Sequence, residues 1–237
     1  MSAPRTGEAG GPGAAAERAL STPGWWWGRW IAFALSRVLW RVRTTGPMAP
    51  SGAFLLAVNH VNVIDGPLVW AVHRRPTHFL VKTEMFRGLF GWALREVGQI
   101  PVDRSRPDRA ALATAVHALR TGRIVGVFPE GARGRGDVSE VRTGIAWLAL
   151  QAGAPVVPVA VLGTRRSGER AGRLPPLGRR LHVVVGEPFA VDRPEGRAGR
   201  ALLADAAEQV RARLAAHVRA AVAGTGVDLP DDAGEGR

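Results

Sequence analysis

Three short apolar runs constrain this chain most: AFLLAV at 53–58, IVGVF within 123–128 and VVPVAVL within 155–162. Each is too short for a core helix and lacks the polar–apolar alternation of a sheet with one wet face. Each therefore reads as a strand buried on both sides. Shorter strands are expected at 78–82, 99–103 and 181–185. Helical patterns fall between them at about 66–74, 84–96, 107–120 and 143–152, the last stopping at Gly153. Residues 196–222 place Leu202, Ala206, Val210, Leu214 and Val218 at four-residue steps, an amphipathic helix that can pack on a sheet. Strands alternating with helices predict an α/β fold with a mostly parallel central sheet flanked by helices.

The ends differ from this middle. Residues 1–22 are small, polar and rich in Gly and Pro, and read as a disordered tail without the apolar centre of a secretory signal. Residues 223–237 read as a second disordered tail, acidic and rich in Gly. Between tail and sheet, WWWGRWIAFALSRVLWRVR (25–43) holds five of the eight Trp, four Arg and no acid. Its longest charge-free run is seven residues, Trp30 to Ser36. A membrane-spanning helix needs about 20. Trp at headgroup level and Arg facing anionic lipid suit an amphipathic membrane-associated helix lying in the interface, expected over 23–45. The main domain is then 46–222.

Lys and Arg number 32 against 20 acids, a formal charge of +12, and Lys82 is the only lysine. Such a balance favours polyanions: nucleic acid, an anionic membrane or a phosphorylated small molecule. No helix-turn-helix, zinc or RNA-binding pattern accompanies it, so nucleic acid is not an expected partner. Cysteine is absent, which excludes a disulfide scaffold, thiolate metal sites and a cysteine nucleophile. The segment 165–180, RRSGERAGRLPPLGRR, has six Arg and one acid. It suits the phosphates of a ligand, an acidic carrier protein or membrane lipid.

Chemistry is expected where strands end. The first strand runs into Asn59 and His60, with Asp65 five residues on (NHVNVIDG). Across a turn into a helix the two can meet. A carboxylate on one imidazole nitrogen fixes the tautomer and leaves the other nitrogen as a base. GQIPVDR ends in Asp103 and Arg104, and FPEGARGR carries Glu130, Gly131, Arg133 and Arg135. Arginine's planar fork suits phosphate. A hydroxyl-activating His beside arginines points to a phosphate-bearing substrate.

NHVNVID, GQIPVDR, FPEGARG and VPVAV resemble, in this order, the four motifs of the glycerolipid acyltransferases, most closely the 1-acylglycerol-3-phosphate (lysophosphatidic acid) type. The stretch LVKTEMFRGLFGWALREVG is similar to the family's segment between its first two motifs, and the resemblance covers about residues 35–190. It implies His60 as general base and Asp65 as its orienting acid. It implies Asn59, Lys82, Asp103, Arg104, Glu130, Gly131 and Arg133 as the substrate-binding set, with Arg104 and Arg133 on the acceptor's phosphate. The implied reaction moves a fatty acyl group from acyl-CoA or acyl carrier protein to a lysophospholipid hydroxyl, with the thioester as co-substrate and no bound cofactor or metal. The implied location is the cytoplasmic face of a membrane, peripheral or monotopic. Ala132 stands where the third motif commonly has Thr, and Gly134 where Ser often follows its Arg. Both changes bear on which acceptor is used. The same chemistry on another lysolipid or glycolipid is one alternative. A non-catalytic lipid- or nucleic-acid-binding protein on this scaffold is another.

Overall fold

The computed structural model describes residues 12–47, 51–196 and 198–232. Among them, seven strands form one sheet: β1 (Arg41–Thr45), β2 (Phe54–Val58), β3 (Thr77–Lys82), β4 (Ile100–Val102), β5 (Ile124–Val127), β6 (Val156–Leu162) and β7 (Arg180–Val185). Their order is β1-β7-β6-β2-β5-β3-β4. Every neighbouring pair is parallel except β6 with β7. The helices are α1 (Pro12–Ala19), α2 (Trp25–Leu39), α3 (Asp65–Val72), α4 (Gly88–Glu96), α5 (Arg109–Arg120), α6 (Gly144–Ala152) and α7 (Gly199–Thr225).

The central strand β2 shows why its apolar run is unbroken. All five residues are buried. Leu55 and Ala57 join the core made with α5, α6 and α7, whereas Phe54, Leu56 and Val58 join the one made with α2 and α3. Successive side chains point to opposite faces, so a strand covered on both sides must be apolar throughout. Burial of each large side chain is worth about 1.5–3 kcal/mol. Asp108 caps α5 by accepting from the Ala111 amide at 3.0 Å. Gly153, at φ +62°, ends α6 in the left-handed conformation that glycine adopts without strain. On α7 the buried residues include Ala206, Val210, Leu214 and Val218.

Three segments depart from the sequence expectations. Residues 12–19 are the helix α1 rather than tail: its Ala-rich stretch propagates well, Ala16 and Leu20 are buried, and Glu17 pairs with Arg123 and His117. Residues 1–11 of that expected tail lie outside the described residues. The helix expected over 23–45 ends at Leu39, and Arg41–Thr45 forms the edge strand β1. Only Val42 of β1 is buried, so no apolar run marks it. The expected C-terminal tail is held to residue 232: α7 continues to Thr225, Val227 and Leu229 pack on the core, and Asp232 pairs with Arg165. Residues 233–237 lie outside the described residues.

The parallel strands β2 to β6 end on one rim. β1 and β7 run the other way and begin there.

Candidate active site

His60 follows β2, and Asp65 opens α3, so a four-residue turn brings them together. Nδ1 of His60 lies 3.0 Å from Oδ2 of Asp65. The same oxygen accepts the amides of Val61 and Asn62 at 2.8 and 2.7 Å. Oδ1 accepts the Thr164 hydroxyl at 2.7 Å. Asp65 is fully buried, and these donors replace the water it loses. Its place at a helix N-terminus further favours negative charge. With Nδ1–H directed at this carboxylate, Nε2 of His60 remains available as a base.

The imidazole is also held by stacking. It lies 4.0 Å from the Phe128 ring, which stacks in turn on Phe79 at 5.4 Å. Phe79 lies over Gly126, its partner across the β3–β5 pairing; a β-carbon there would meet the ring at 2.5 Å. The His60 backbone is tied down as well. Its amide donates to Glu130 Oε1 at 2.8 Å, and its carbonyl accepts from Gly134 at 2.9 Å. Burial pushes the Glu130 carboxyl up to about 7, opposed by the His60 amide and assisted by Asp137 and Asp65.

Beside this couple, arginines gather around Gly131. Arg104 follows β4 and donates to the Gly131 carbonyl at 2.6 Å. Arg142 lies over Gly131, where a β-carbon would fall 2.1 Å from its Nε; the residue's φ of +76° also suits glycine. Arg133, in the same loop, reaches the Ala171 carbonyl at 3.4 Å. Burial, then the charge of Arg142, then that of Arg133, hold Arg104 below the ordinary arginine range, against Glu84, which raises it. Among the described residues no carboxylate forms an ion pair with any of these three guanidinium groups. Like charges assembled without an ion-paired carboxylate suit an anionic ligand.

The structure thus gathers His60, Asp65, Glu130, Gly131, Arg104 and Arg133 at one place. Three other expected substrate contacts have local duties instead. Asn59 is fully buried, and its amide is used across the sheet: it donates to Val161 and Gly136 carbonyls at 3.2 and 3.4 Å and accepts the Val161 amide at 2.7 Å. Asp103 accepts from the Ser105 amide and hydroxyl and from Arg106, organising the turn before α5. Lys82 ends β3 on the rim, half exposed, and pairs with Glu84 at 3.7 Å.

Residue types at strand ends do not reveal Arg142, Thr164 or Arg165. Arg165 is fully buried and donates to the carbonyls of Val61 (3.1 Å), Gly134 (2.9 Å), Glu169 (3.2 Å) and Asp232 (2.7 Å), besides pairing with the Asp232 carboxylate. It ties the His60 loop, the Glu130–Gly136 loop and the C-terminal segment together. The six-arginine pattern around it gives one signal, but not which arginine turns inward.

A His–Asp couple with its carboxylate fully buried, next to arginines without carboxylate partners at the ends of parallel strands, sets a base beside an anion site. The comparisons with known proteins give the class. The acyltransferase family model matches residues 41–162. The 1-acyl-sn-glycerol-3-phosphate acyltransferase of Bacillus subtilis (strain 168) is 30% identical over 148 residues, 60% of this chain and 68% of that protein. The enzyme of the same name from Streptococcus pneumoniae is 32% identical over 114 residues, 46% of this chain and 42% of its own length. In fold, the chain is similar to the crystal structure of the 1-acyl-sn-glycerophosphate (LPA) acyltransferase PlsC from Thermotoga maritima. The TM-score is 0.63 at 21% identity, covering 82% of this chain and 80% of that one. The chain belongs to the acyltransferase family, as an O-acyltransferase of the 1-acylglycerol-3-phosphate type.

Proposed function

We propose that this chain transfers a fatty acyl group from acyl-CoA or acyl carrier protein to the sn-2 hydroxyl of 1-acylglycerol-3-phosphate. One observation carries this reading: a His60 imidazole held by Asp65, beside the unpaired Arg104, Arg133 and Arg142. The acceptor's phosphate sits among the arginines, and its hydroxyl reaches Nε2 of His60. Nε2 takes the proton as the hydroxyl oxygen attacks the thioester carbonyl. The tetrahedral intermediate collapses, the carbon–sulfur bond breaks, and the imidazolium returns its proton to the departing thiolate. General-base help of this kind is worth about 10²–10⁴ in rate. The chain has no cysteine to form a thiol acyl-enzyme, in keeping with direct attack. The thioester is a co-substrate, and the proposal calls on no cofactor.

The same reading places the enzyme on a membrane, at its cytoplasmic face, as a peripheral or monotopic protein. No helix among the described residues is long and apolar enough to cross one. α2 packs Trp25, Ala32 and Leu39 on the core while Trp26, Trp30, Ile31, Leu35 and Val38 stay exposed. α4 extends this apolar face with Leu89, Phe90 and Trp92, and Trp27 of α2 stacks on Trp92 at 6.1 Å. A continuous face of this kind favours a lipid interface.

The test is acyl transfer from a long-chain acyl-CoA to lysophosphatidic acid, with His60→Ala alongside. Transfer that disappears in the variant supports reaction and base together. A wild-type rate in the variant overturns the mechanism. Trp27→Ser combined with Trp92→Ser should release the protein from sedimenting anionic vesicles, and undiminished sedimentation would sink the docking face. Protection of the protein from added protease in right-side-out membrane vesicles, but not in inverted ones, checks the cytoplasmic face.

A further inference from the structure

On the other side of His60 from the Arg104 group lies a second basic site, a cleft of about 700 Å³. It forms where β1 and β7 begin and β6 ends. Arg43, Arg166, Arg179, Arg180 and His182 supply its polar lining. Arg179 is neutralised by Glu169. Arg43, Arg166 and Arg180 are exposed, and among the described residues their side chains make no hydrogen bond or ion pair. His182 is only 8% exposed, lines the cleft, and its ring nitrogens have no partner among the described residues. Its ring nitrogens keep solvent contact at the cleft wall, and its surroundings present three positive charges and no carboxylate lining the wall. The volume is that of a small-molecule site.

The cleft's position says which molecule it suits. Thr164, whose hydroxyl holds Asp65, is followed two residues later by Arg166 of the cleft wall. The two Cα atoms are therefore within about 7 Å of each other. Along the rim the order is Arg104 after β4, the Glu130–Arg133 loop after β5, His60 after β2, then the cleft beside β6 and β7. In strand order the base stands between the two anion sites, with Arg43 and His182 on the α7 face of the sheet and the His60 ring on the α3 face. A transfer between two substrates needs an anchor for each, and the arginines around Gly131 serve the acceptor. We propose that the cleft binds the phosphates at the nucleotide end of a coenzyme A thioester. The donor then approaches His60 from the β6 side as the acceptor approaches from the β5 side. This rests on the acyl-transfer reading above and names CoA as the donor. A concave cleft with a buried histidine at its wall suits the phosphates of a small molecule better than the convex surface of a carrier protein.

The test is calorimetric titration of the full chain with CoA and with adenosine 3′,5′-bisphosphate, on wild type, Arg166→Gln and the double variant Arg43→Gln/Arg180→Gln. Exposed positions of this kind should leave folding intact, which thermal melting checks. Each lost arginine–phosphate contact should weaken CoA binding by about tenfold. The double variant then loses about a hundredfold, with the KM for acyl-CoA rising more than kcat falls. Wild-type affinity in the variants, or no CoA binding by the wild type, overturns the proposal. Unaltered CoA binding with weakened binding to phosphatidylglycerol vesicles also overturns it and gives the cleft to a lipid headgroup. CoA binding lost in the variants, with lysophosphatidic acid never acylated even by the wild type, leaves this site standing and refutes the acceptor reading instead.

Discussion

The loop that carries His60 and the loops that carry Arg104, Arg133 and Arg142 share one rim, yet their polar groups keep different company. Asp65 is buried with donors on both oxygens. Asn59 and Asn62 spend their amides on neighbouring backbone. Each group there is satisfied within the chain, so the imidazole has one orientation before any substrate arrives. The arginines are left with backbone carbonyls and one another. On the proposed mechanism, the groups in place for chemistry are bonded internally, and those that meet a charged ligand have no ion-paired carboxylate. Reorganisation would thereby be avoided at the base, and the ligand would supply the missing charge at the arginines.

That contrast can be broken at either end. The largest effect is expected from Asp65→Asn, which turns an all-acceptor group facing four donors into one that must present hydrogens to some of them. The rate should fall by about a hundredfold, mainly in kcat, since the base loses its tautomer and orientation. A pure KM effect measured by steady-state kinetics would contradict it. Arg142→Gln comes next. It leaves the His60 couple intact and should raise the KM for lysophosphatidic acid by about tenfold while the KM for acyl-CoA changes little. Equal changes in both constants would remove Arg142 from the acceptor side. Glu130→Gln should change the rate least, because an amide carbonyl still accepts the His60 amide. Its signature is in pH. Burial pushes the folded carboxyl up to about 7 from its ordinary value of 4.5. The folded chain therefore holds this proton through a window in which the unfolded chain has released it. Its contribution is full below about 4.5 and declines as pH rises towards 7. Thermal melting across that range should show a decline in wild type that is shallower in the variant. Parallel curves would show that Glu130 is not the group responsible.

Reading from residues alone succeeds where a signal is local. The unbroken runs mark β2, β5 and β6, and the five-residue spacing of His60 and Asp65 brings them together once a helix begins at 65. It fails where the cause is remote. β1 is an edge strand with one buried residue, held by its pairing with β7, 139 positions away (Arg41 with Arg180). Thr164 meets Asp65 across 99 residues and Arg165 meets Val61 across 104, so no window of sequence contains either pair. Asn59 and Asp103 have residue types that suit a ligand, but type says nothing of where the side chain's hydrogen bonds are already spent. The tryptophan segment was legible in composition, and its division into a core-packed and an exposed face needed α3 and the sheet beneath it.

Gly126 has an evolutionary consequence. It contacts no substrate, yet the missing side chain there admits Phe79, on which Phe128 and then His60 are stacked. Position 126 is therefore closed to the mildest of mutations, glycine to alanine, because the displaced ring would press on the next and so on the base. A lineage could lose this activity by gaining a single methyl group at a site that, by chemical type alone, would be scored as neutral core.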